Sequence, residues 1–111
     1  MDSEIKTWLY DILQSINEID GYYDDKPKIF SEYLSDIKTK RAIEPNLEII
    51  GEAVNRIRKK DKKFKLTNSD KIVATRNRII HGYDVISDDM IWSIVINHLP
   101  KLKEEISEML N

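Results

Sequence analysis

The sequence predicts an all-α domain, and three observations support this prediction. The 111 residues include only 3 Gly and 3 Pro, helix-forming residues are abundant, and no stretch alternates apolar and polar side chains over any length. Half-buried strands need such alternation, whereas helices place apolar residues at steps of 3 and 4. Because a chain of this size buries one modest core, we expect a single domain over residues 1–111, built from about four to five helices.

The first predicted helix runs from about Ser3 to Asp20. Its apolar stripe is Ile5, Trp8, Leu9, Ile12, Ile16 and Ile19. Either Asp2 or Ser3 is expected to cap it and Gly21 to end it. A short second helix should follow, with Pro27 in its first turn. Its apolar residues are Phe30, Tyr33 and Leu34.

The third predicted helix is the longest, and its apolar residues recur at alternating steps of 4 and 3, the spacing of a helix packed along a partner helix. They are Ile43, Leu47, Ile50, Val54 and Ile57. Pro45 lies inside this pattern and marks either a kink or the true first turn, and we favour the kink.

Two further helices are predicted after a basic loop. Asn68 or Ser69 can cap a helix that runs to about Ile80 and stops at Gly82. The last helix begins near Ser87 or Asp88, with Pro100 as a second kink. Its apolar residues are Ile91, Ile94, Val95, Leu99, Leu102, Ile106 and Met109.

The net charge of -2 hides a concentrated basic segment. Residues 56–83 carry 10 basic and 2 acidic side chains, whereas the segments before and after are acidic. Such a segment suits a phosphate backbone, because bound Lys and Arg release condensed counterions. A solvated helix end would also explain it, since cations complement the helix dipole. The candidate RNA-binding residues are Arg58, Lys59, Lys60, Lys62, Lys63 and Arg78.

Several kinds of site are not expected. The chain has no Cys, which excludes disulfides, thiolate catalysis and Cys-based zinc sites and fits a reducing cytoplasm. Asp84, Asp88 and Asp89 suggest a metal site, but helix capping explains Asp88 and Asp89 more simply. We therefore expect no metal and no cofactor. Neither a cleavable signal nor a membrane-spanning apolar run is expected.

On a helical wheel, Arg76 falls inside the apolar stripe of its predicted helix, between Ile80 on one side and Ile72 on the other. A guanidinium there is costly unless an anion pairs with it. That anion is either internal, such as Glu48 or Glu52 on the long helix, or a phosphate, which Arg grips through two parallel hydrogen bonds.

Two more polar residues accompany Arg76. Asn77 and His81 are four residues apart and so share one helix edge. A lone His is more often a capping or packing residue than a catalyst, but its position beside Arg76 favours a site. Tyr83 follows Gly82 on the same rim, where a Tyr is ordinarily a packing residue.

The segment Arg76-Asn77-Arg78-Ile79-Ile80-His81-Gly82-Tyr83 resembles the Arg-x4-His-x-Tyr motif of HEPN domains, specifically of the HepT-like toxins. The resemblance continues in residues 48–53, in Ile91-Trp92 and in residues 99–102, so it covers nearly the whole chain. Pro45 has no secure place in the family pattern.

The resemblance implies a helical bundle that dimerises and forms one composite site from two subunits. It implies metal-independent RNA cleavage, in which His81 moves a proton, Arg76 holds the scissile phosphate and Asn77 orients the phosphate or His81. It also implies a partner, a small MNT-type nucleotidyltransferase antitoxin that attaches AMP to Tyr83. Negative charge and bulk there would compete with RNA for Arg76.

Two rival interpretations remain open from the sequence. In the first, the domain binds a nucleotide or the partner enzyme through Arg76 and Tyr83 without cleaving anything. In the second, the chain is a purely structural helical dimer in which Arg76 pairs with Glu48 or Glu52.

Overall fold

A computed structural model describes residues 1–24, 26–81 and 86–111, and these residues contain α-helices and no strand. The helices are α1 (Ser3–Tyr23), α2 (Phe30–Ser35), α3 (Ile37–Lys60), α4 (Ser69–His81), α5 (Asp88–Ser93) and α6 (Leu99–Leu110), with a π-helical turn (Ile94–His98) between α5 and α6. The all-α prediction is confirmed. Because α5, the π-helical turn and α6 are continuous, the described residues form five helical segments, in agreement with the predicted number.

Helix α1 begins as predicted but ends later. Of the two candidate caps, Asp2 is the one used, and its carboxylate accepts hydrogen bonds from the amides of Glu4 and Ile5 at 2.9 and 3.1 Å. The predicted stop at Gly21 is wrong, since the helix continues to Tyr23. A tertiary contact explains the extra turn, because the Tyr22 hydroxyl donates a 2.6 Å hydrogen bond to Asn46 of α3.

Helix α2 begins at Phe30, so the placement of Pro27 in its first turn is wrong. Aromatic packing anchors this short helix. Tyr33 is buried and its ring centroid lies 4.9 Å from that of Trp92, with Phe30 5.9 Å from the same indole. The aromatic cluster therefore decides where this helix forms, ahead of the backbone preference of Pro27.

Helix α3 has 24 residues and contains Pro45 in its interior, so Pro45 does not mark the first turn. All five predicted seam residues, Ile43 to Ile57, are at most 3% exposed within the single chain. They face α1 and α4. The seam therefore packs inside the domain, against helices of the same chain.

The C-terminal helices follow the prediction with one local change. Helix α4 starts at Ser69, whereas the predicted stop at Gly82 lies outside the described residues. The Ser87 hydroxyl caps α5 by accepting a hydrogen bond from the Met90 amide at 3.2 Å.

Pro100 lacks an amide proton and its ring crowds the preceding turn. The chain accommodates it by widening that turn, in which the Leu99 amide donates to the carbonyl of Ile94.

Every described helix contributes buried residues to one hydrophobic core. It is dominated by aliphatic residues of α1, α3 and α6, and Ile12, Ile50 and Leu102 are fully buried. None of the described helices is both long enough and apolar enough to cross a membrane.

Candidate functional site

The site begins at the crossing of α3 and α4, where Gly51 is the residue of closest approach. A Cβ atom built on Gly51 would lie 2.2 Å from the Cβ of Arg76 and 3.3 Å from the carbonyl oxygen of Ile72. Real Cβ atoms do not approach each other so closely, so only glycine fits between the two helices at this distance. Gly51 thus determines how near the stem of Arg76 comes to α3.

Two neighbours hold the guanidinium of Arg76. One terminal nitrogen, Nη2, forms an ion pair with the Glu52 carboxylate of α3, and the other, Nη1, donates to Oδ1 of Asn77 at 2.9 Å. The Arg76 side chain is 22% exposed and that of Glu52 34%. Among the described residues, the buried Nε of Arg76 has no hydrogen-bond partner. The anion that the helical wheel requires for Arg76 is therefore Glu52.

Glu52 is shared between two arginines. Its second oxygen, Oε1, accepts a 2.9 Å hydrogen bond from Nε of Arg56, one turn further along α3. Glu48, the other candidate partner for Arg76, lines the same cleft. Within the described residues it forms no ion pair within 4 Å. Because Asp11 also lines this cleft, its three carboxylates and the two arginines, Arg56 and Arg76, sum to a formal charge of -1.

Arg76 faces an open cleft of about 370 Å³ between α1, α3 and α4. It is lined by Trp8, Asp11, Glu48, Ile49, Glu52, Ala53, Arg56, Arg76 and Ile80. Ile49 and Ile80, on its rim, are 47% and 46% exposed. The cleft therefore combines a charged floor with an apolar rim.

The structure places the other predicted site residues near the end of α4. Asn77 is half-buried and contacts Arg76 directly. His81 is the last described residue of α4 and is exposed to solvent. It lies one turn beyond Asn77, on the same edge of the helix. Tyr83 and Asp84 lie outside the described residues.

The predicted RNA-binding residues do not form one uniform surface. Lys59, Lys62 and Lys63 are exposed near the end of α3, and within the described part of the chain none of them forms an ion pair. Lys59 and Lys62 line a second groove of about 490 Å³ with Arg58 and Lys65. Their positive charge is therefore available to an anion.

Three members of that set already have partners in the chain. Arg58 pairs with Asp70 at 2.6 Å, and Arg78 contacts the sulfur of Met90 at 3.2 Å. Lys60 pairs with Glu4, whose hydrogen bond raises the pKa of the ammonium group, and with Asp2 at 3.3 Å. Lys60 thus links α3 to the start of α1.

Asp88, at the start of α5, has a different role from the predicted cap. Ser87 supplies the cap, and Asp88 instead forms a 2.9 Å ion pair with Lys40 of α3. Within residues 1–24, 26–81 and 86–111, no group of three or more His, Asp or Glu side chains is arranged to hold a metal ion.

Sequence reasoning overlooked the structural roles of Gly51 and Arg56. An isolated Gly inside a helical pattern commonly indicates close packing, and this signal points to Gly51. The spacing of four between Glu52 and Arg56 favours an ion pair along the helix.

The described residues define the class as an all-helical protein in which Arg76, Asn77 and His81 follow one another along α4. The model of the family described as "Ribonuclease HepT-like" matches residues 12–109. The chain belongs to this family.

Individual relatives agree with the family match. "Putative RNase MJ0127" of Methanocaldococcus jannaschii is 34% identical over 108 residues, covering 96% of this chain and 88% of the relative. "Putative RNase MJ1380" of the same organism is 34% identical over 104 residues, covering 93% and 94%. "Probable ribonuclease HepT" of Thermococcus cleftensis is 30% identical over 108 residues, covering 94% of each chain. No solved structure matches the chain.

Proposed function

We propose that the chain is a metal-independent endoribonuclease that acts as the toxin of a HEPN/nucleotidyltransferase toxin–antitoxin pair in the cytoplasm. One observation carries the proposal: Arg76 is held by two neighbours at the floor of an open cleft, on the same helix as Asn77 and His81. Membership of the HepT-like ribonuclease family supports the reaction class.

The proposed reaction needs no group beyond these side chains and the RNA itself. The 2′-hydroxyl oxygen of one nucleotide attacks the adjacent phosphorus, the bond to the 5′-oxygen breaks, and a 2′,3′-cyclic phosphate and a 5′-hydroxyl result. His81 transfers the proton to or from the reacting oxygens. Arg76 binds the phosphate and stabilises its added negative charge, and Asn77 keeps Arg76 in place.

The active form in this proposal is a homodimer in which two clefts combine into one site. The exposed Ile49 and Ile80 on the cleft rim support it, because a second copy seated there would remove both side chains from water. Each subunit would then contribute one Arg76 and one His81.

Control by the partner forms the last part of the proposal. The partner enzyme transfers AMP from ATP to the phenol oxygen of Tyr83 and releases pyrophosphate. Tyr83 follows His81 by two residues in the chain, and a nucleotide attached there would add a negative phosphate to the segment that carries Arg76. RNA and the attached nucleotide would compete for the same guanidinium.

The test is growth arrest and total-RNA integrity after induction of the wild-type chain, with and without the partner gene. We expect arrest and RNA loss from the wild type, and neither from His81→Ala. Tyr83→Phe should remain toxic in the presence of the partner, whereas the control Tyr10→Phe, at an exposed position of α1, should be neutralised. Intact RNA and normal growth with folded, unmodified wild-type protein would contradict the proposal.

The pairing of Arg76 with Glu52 favours one alternative, a non-catalytic module that binds the partner, because an arginine that is already paired within the chain is less available to an RNA phosphate. His81→Ala separates the two functions. It should abolish cleavage in the enzyme, whereas partner binding, measured by co-purification, should persist in both cases.

A further inference from the structure

The two oxygens of the Glu52 carboxylate serve different arginines. Oε2 contacts Nη2 of Arg76 in α4, and Oε1 accepts from Nε of Arg56 in α3 at 2.9 Å. Because Arg56 is on the same helix one turn away, its contact favours the Glu52 rotamer that reaches Arg76. The carboxylate is thereby presented to Arg76 from a rigid element.

The contacts at Arg76 are enough to define the orientation of its planar guanidinium. Asn77 holds one terminal nitrogen and Glu52 the other. The stem is held as well, since its Cβ and Cγ lie against Gly51. A guanidinium fixed at both terminal nitrogens and at its stem can meet a phosphate without first losing rotamer freedom.

The negative charge of Glu52 does not fit a residue whose role is only to increase RNA affinity. A carboxylate beside a phosphate-binding arginine repels the incoming phosphate. Its presence in the cleft therefore calls for a benefit other than affinity, and orientation of Arg76 supplies it. Misplacing a group that acts on the reacting atoms by about 1 Å can cost about 10²-fold in rate.

We propose that Glu52 is the positioning residue of the ribonuclease site, which holds Arg76 in its working orientation at the expense of RNA affinity. This inference rests on the proposed function. It predicts opposite effects on two measurable quantities: removing the carboxylate should lower the rate of the bond-breaking step and should tighten RNA binding.

The experiment compares Glu52→Gln, Glu52→Asp and the control Glu48→Gln. Single-turnover cleavage and binding are measured with a fluorescent mixed-sequence oligoribonucleotide, after circular dichroism has shown each variant to be folded. Glu48→Gln changes the cleft charge equally but removes no ion pair seen among the described residues. Glu52→Asp keeps the charge but withdraws the carboxylate by about 1.5 Å, one C–C bond.

We expect Glu52→Gln to cleave about 10²-fold more slowly and to bind the RNA more tightly. Glu52→Asp should be slowed without tighter binding, and Glu48→Gln should bind more tightly and lose much less rate than Glu52→Gln. Wild-type cleavage by both Glu52 variants would overturn the inference, as would an equal loss of rate in Glu48→Gln.

Nuclear magnetic resonance of the arginine side chains tests the positioning without relying on activity. In the wild type the Nη signals of Arg76 should be separate, because the guanidinium does not rotate freely, and in Glu52→Gln they should merge. Arg76→Lys assigns the signals. If the wild type does not cleave RNA, the proposed function fails. Separate Nη signals in the wild type that merge in Glu52→Gln would still show that Glu52 orients Arg76. Freely rotating wild-type signals would overturn it.

Discussion

Gly51 in α3 and Arg76 in α4 are in contact at the helix crossing, with so little space between them that a Cβ on Gly51 would lie 2.2 Å from the Cβ of Arg76. The site residue that binds the phosphate in the proposed reaction is thus positioned by a residue that has no side chain. Helix packing and site geometry depend on the same contact.

Replacing Gly51 by Ala should therefore affect both stability and activity. Overpacking of this kind typically costs about 1–3 kcal/mol, and α4 must move away from α3, carrying Arg76 with it. Urea denaturation measures the first effect and oligoribonucleotide cleavage the second.

Gly21→Ala is the matched control for Gly51→Ala. Gly21 is also helical, but a Cβ there meets no atom within 4 Å. The added Ala should stabilise the chain by roughly 0.5–1 kcal/mol, since it restricts the unfolded chain. Equal responses of the two variants would show that close packing at Gly51 is not important.

Arg76→Lys should lose most of the cleavage activity although the charge is kept. Lysine has one ammonium group and cannot contact Glu52 and Asn77 through two fixed nitrogens as the guanidinium does. Loss of one preorganised donor to a developing charge typically costs about 10²–10³-fold. Arg56→Lys, measured in the same assay, should lose much less, and comparable losses would contradict the special role of Arg76.

A substrate change tests the proposed chemistry directly. An oligoribonucleotide with a single 2′-deoxynucleotide on the 5′ side of the cleaved bond should resist cleavage there, because the attacking oxygen is missing. Neighbouring bonds should still be cut. Mass spectrometry of the unmodified substrate should show 2′,3′-cyclic phosphate ends, and 3′-hydroxyl ends would contradict this mechanism.

The basic residues at the end of α3 should differ in their effect on RNA binding. Each phosphate contact to single-stranded nucleic acid contributes about 0.7 to the slope of log affinity against log salt. Lys59→Gln and Lys62→Gln should reduce the slope, because both side chains are exposed. Lys60→Gln should change it less, since Lys60 already contacts Glu4 and Asp2. Fluorescence anisotropy at several salt concentrations measures these slopes.

Lys60→Gln should instead lower stability, because it breaks the link between α3 and the start of α1. Unfolding by urea provides that readout. An unchanged midpoint together with a reduced salt slope would assign Lys60 to RNA binding after all.

His98 should make stability depend on pH near neutrality. Burial, and then the charge of Lys71, lower the pKa of its imidazole from 6.5. The unfolded chain therefore binds the proton more readily, so this contribution to stability is present above pH 6.5 and is lost as the pH falls through the folded-state pKa. Urea midpoints of the wild type should fall between pH 7 and pH 5.5 more than those of His98→Gln. Parallel curves would refute this.

Much of this architecture could be predicted from local patterns. The apolar spacing located α1, α3, α4 and the C-terminal helices, and Asp2 and Ser87 cap helices at predicted starts. The wheel position of Arg76 required an anion, and Glu52 was one of two candidates. These features depend on residues a few positions apart, where helix geometry alone decides which side chains are neighbours.

The features that local patterns did not predict depend on contacts between residues far apart in the sequence. Gly21 fails to end α1 because Tyr22 bonds to Asn46, and α2 starts at Phe30 because its rings pack on Trp92. Pro100 is accommodated by a π-helical turn, which no sequence pattern indicated. The seam of α3 was correctly located, but its partner helices belong to the same chain.

The sequence by itself determined the helical class, the family and the candidate site residues, because periodicity and motif are properties of neighbouring positions. Only the tertiary structure decided that Glu52, and not Glu48, holds Arg76, that Gly51 sets the distance between α3 and α4, and that Lys60 links two helices. Those choices depend on how α1, α3 and α4 cross. The crossing is determined by the packing of side chains far apart in the sequence, which no local pattern records.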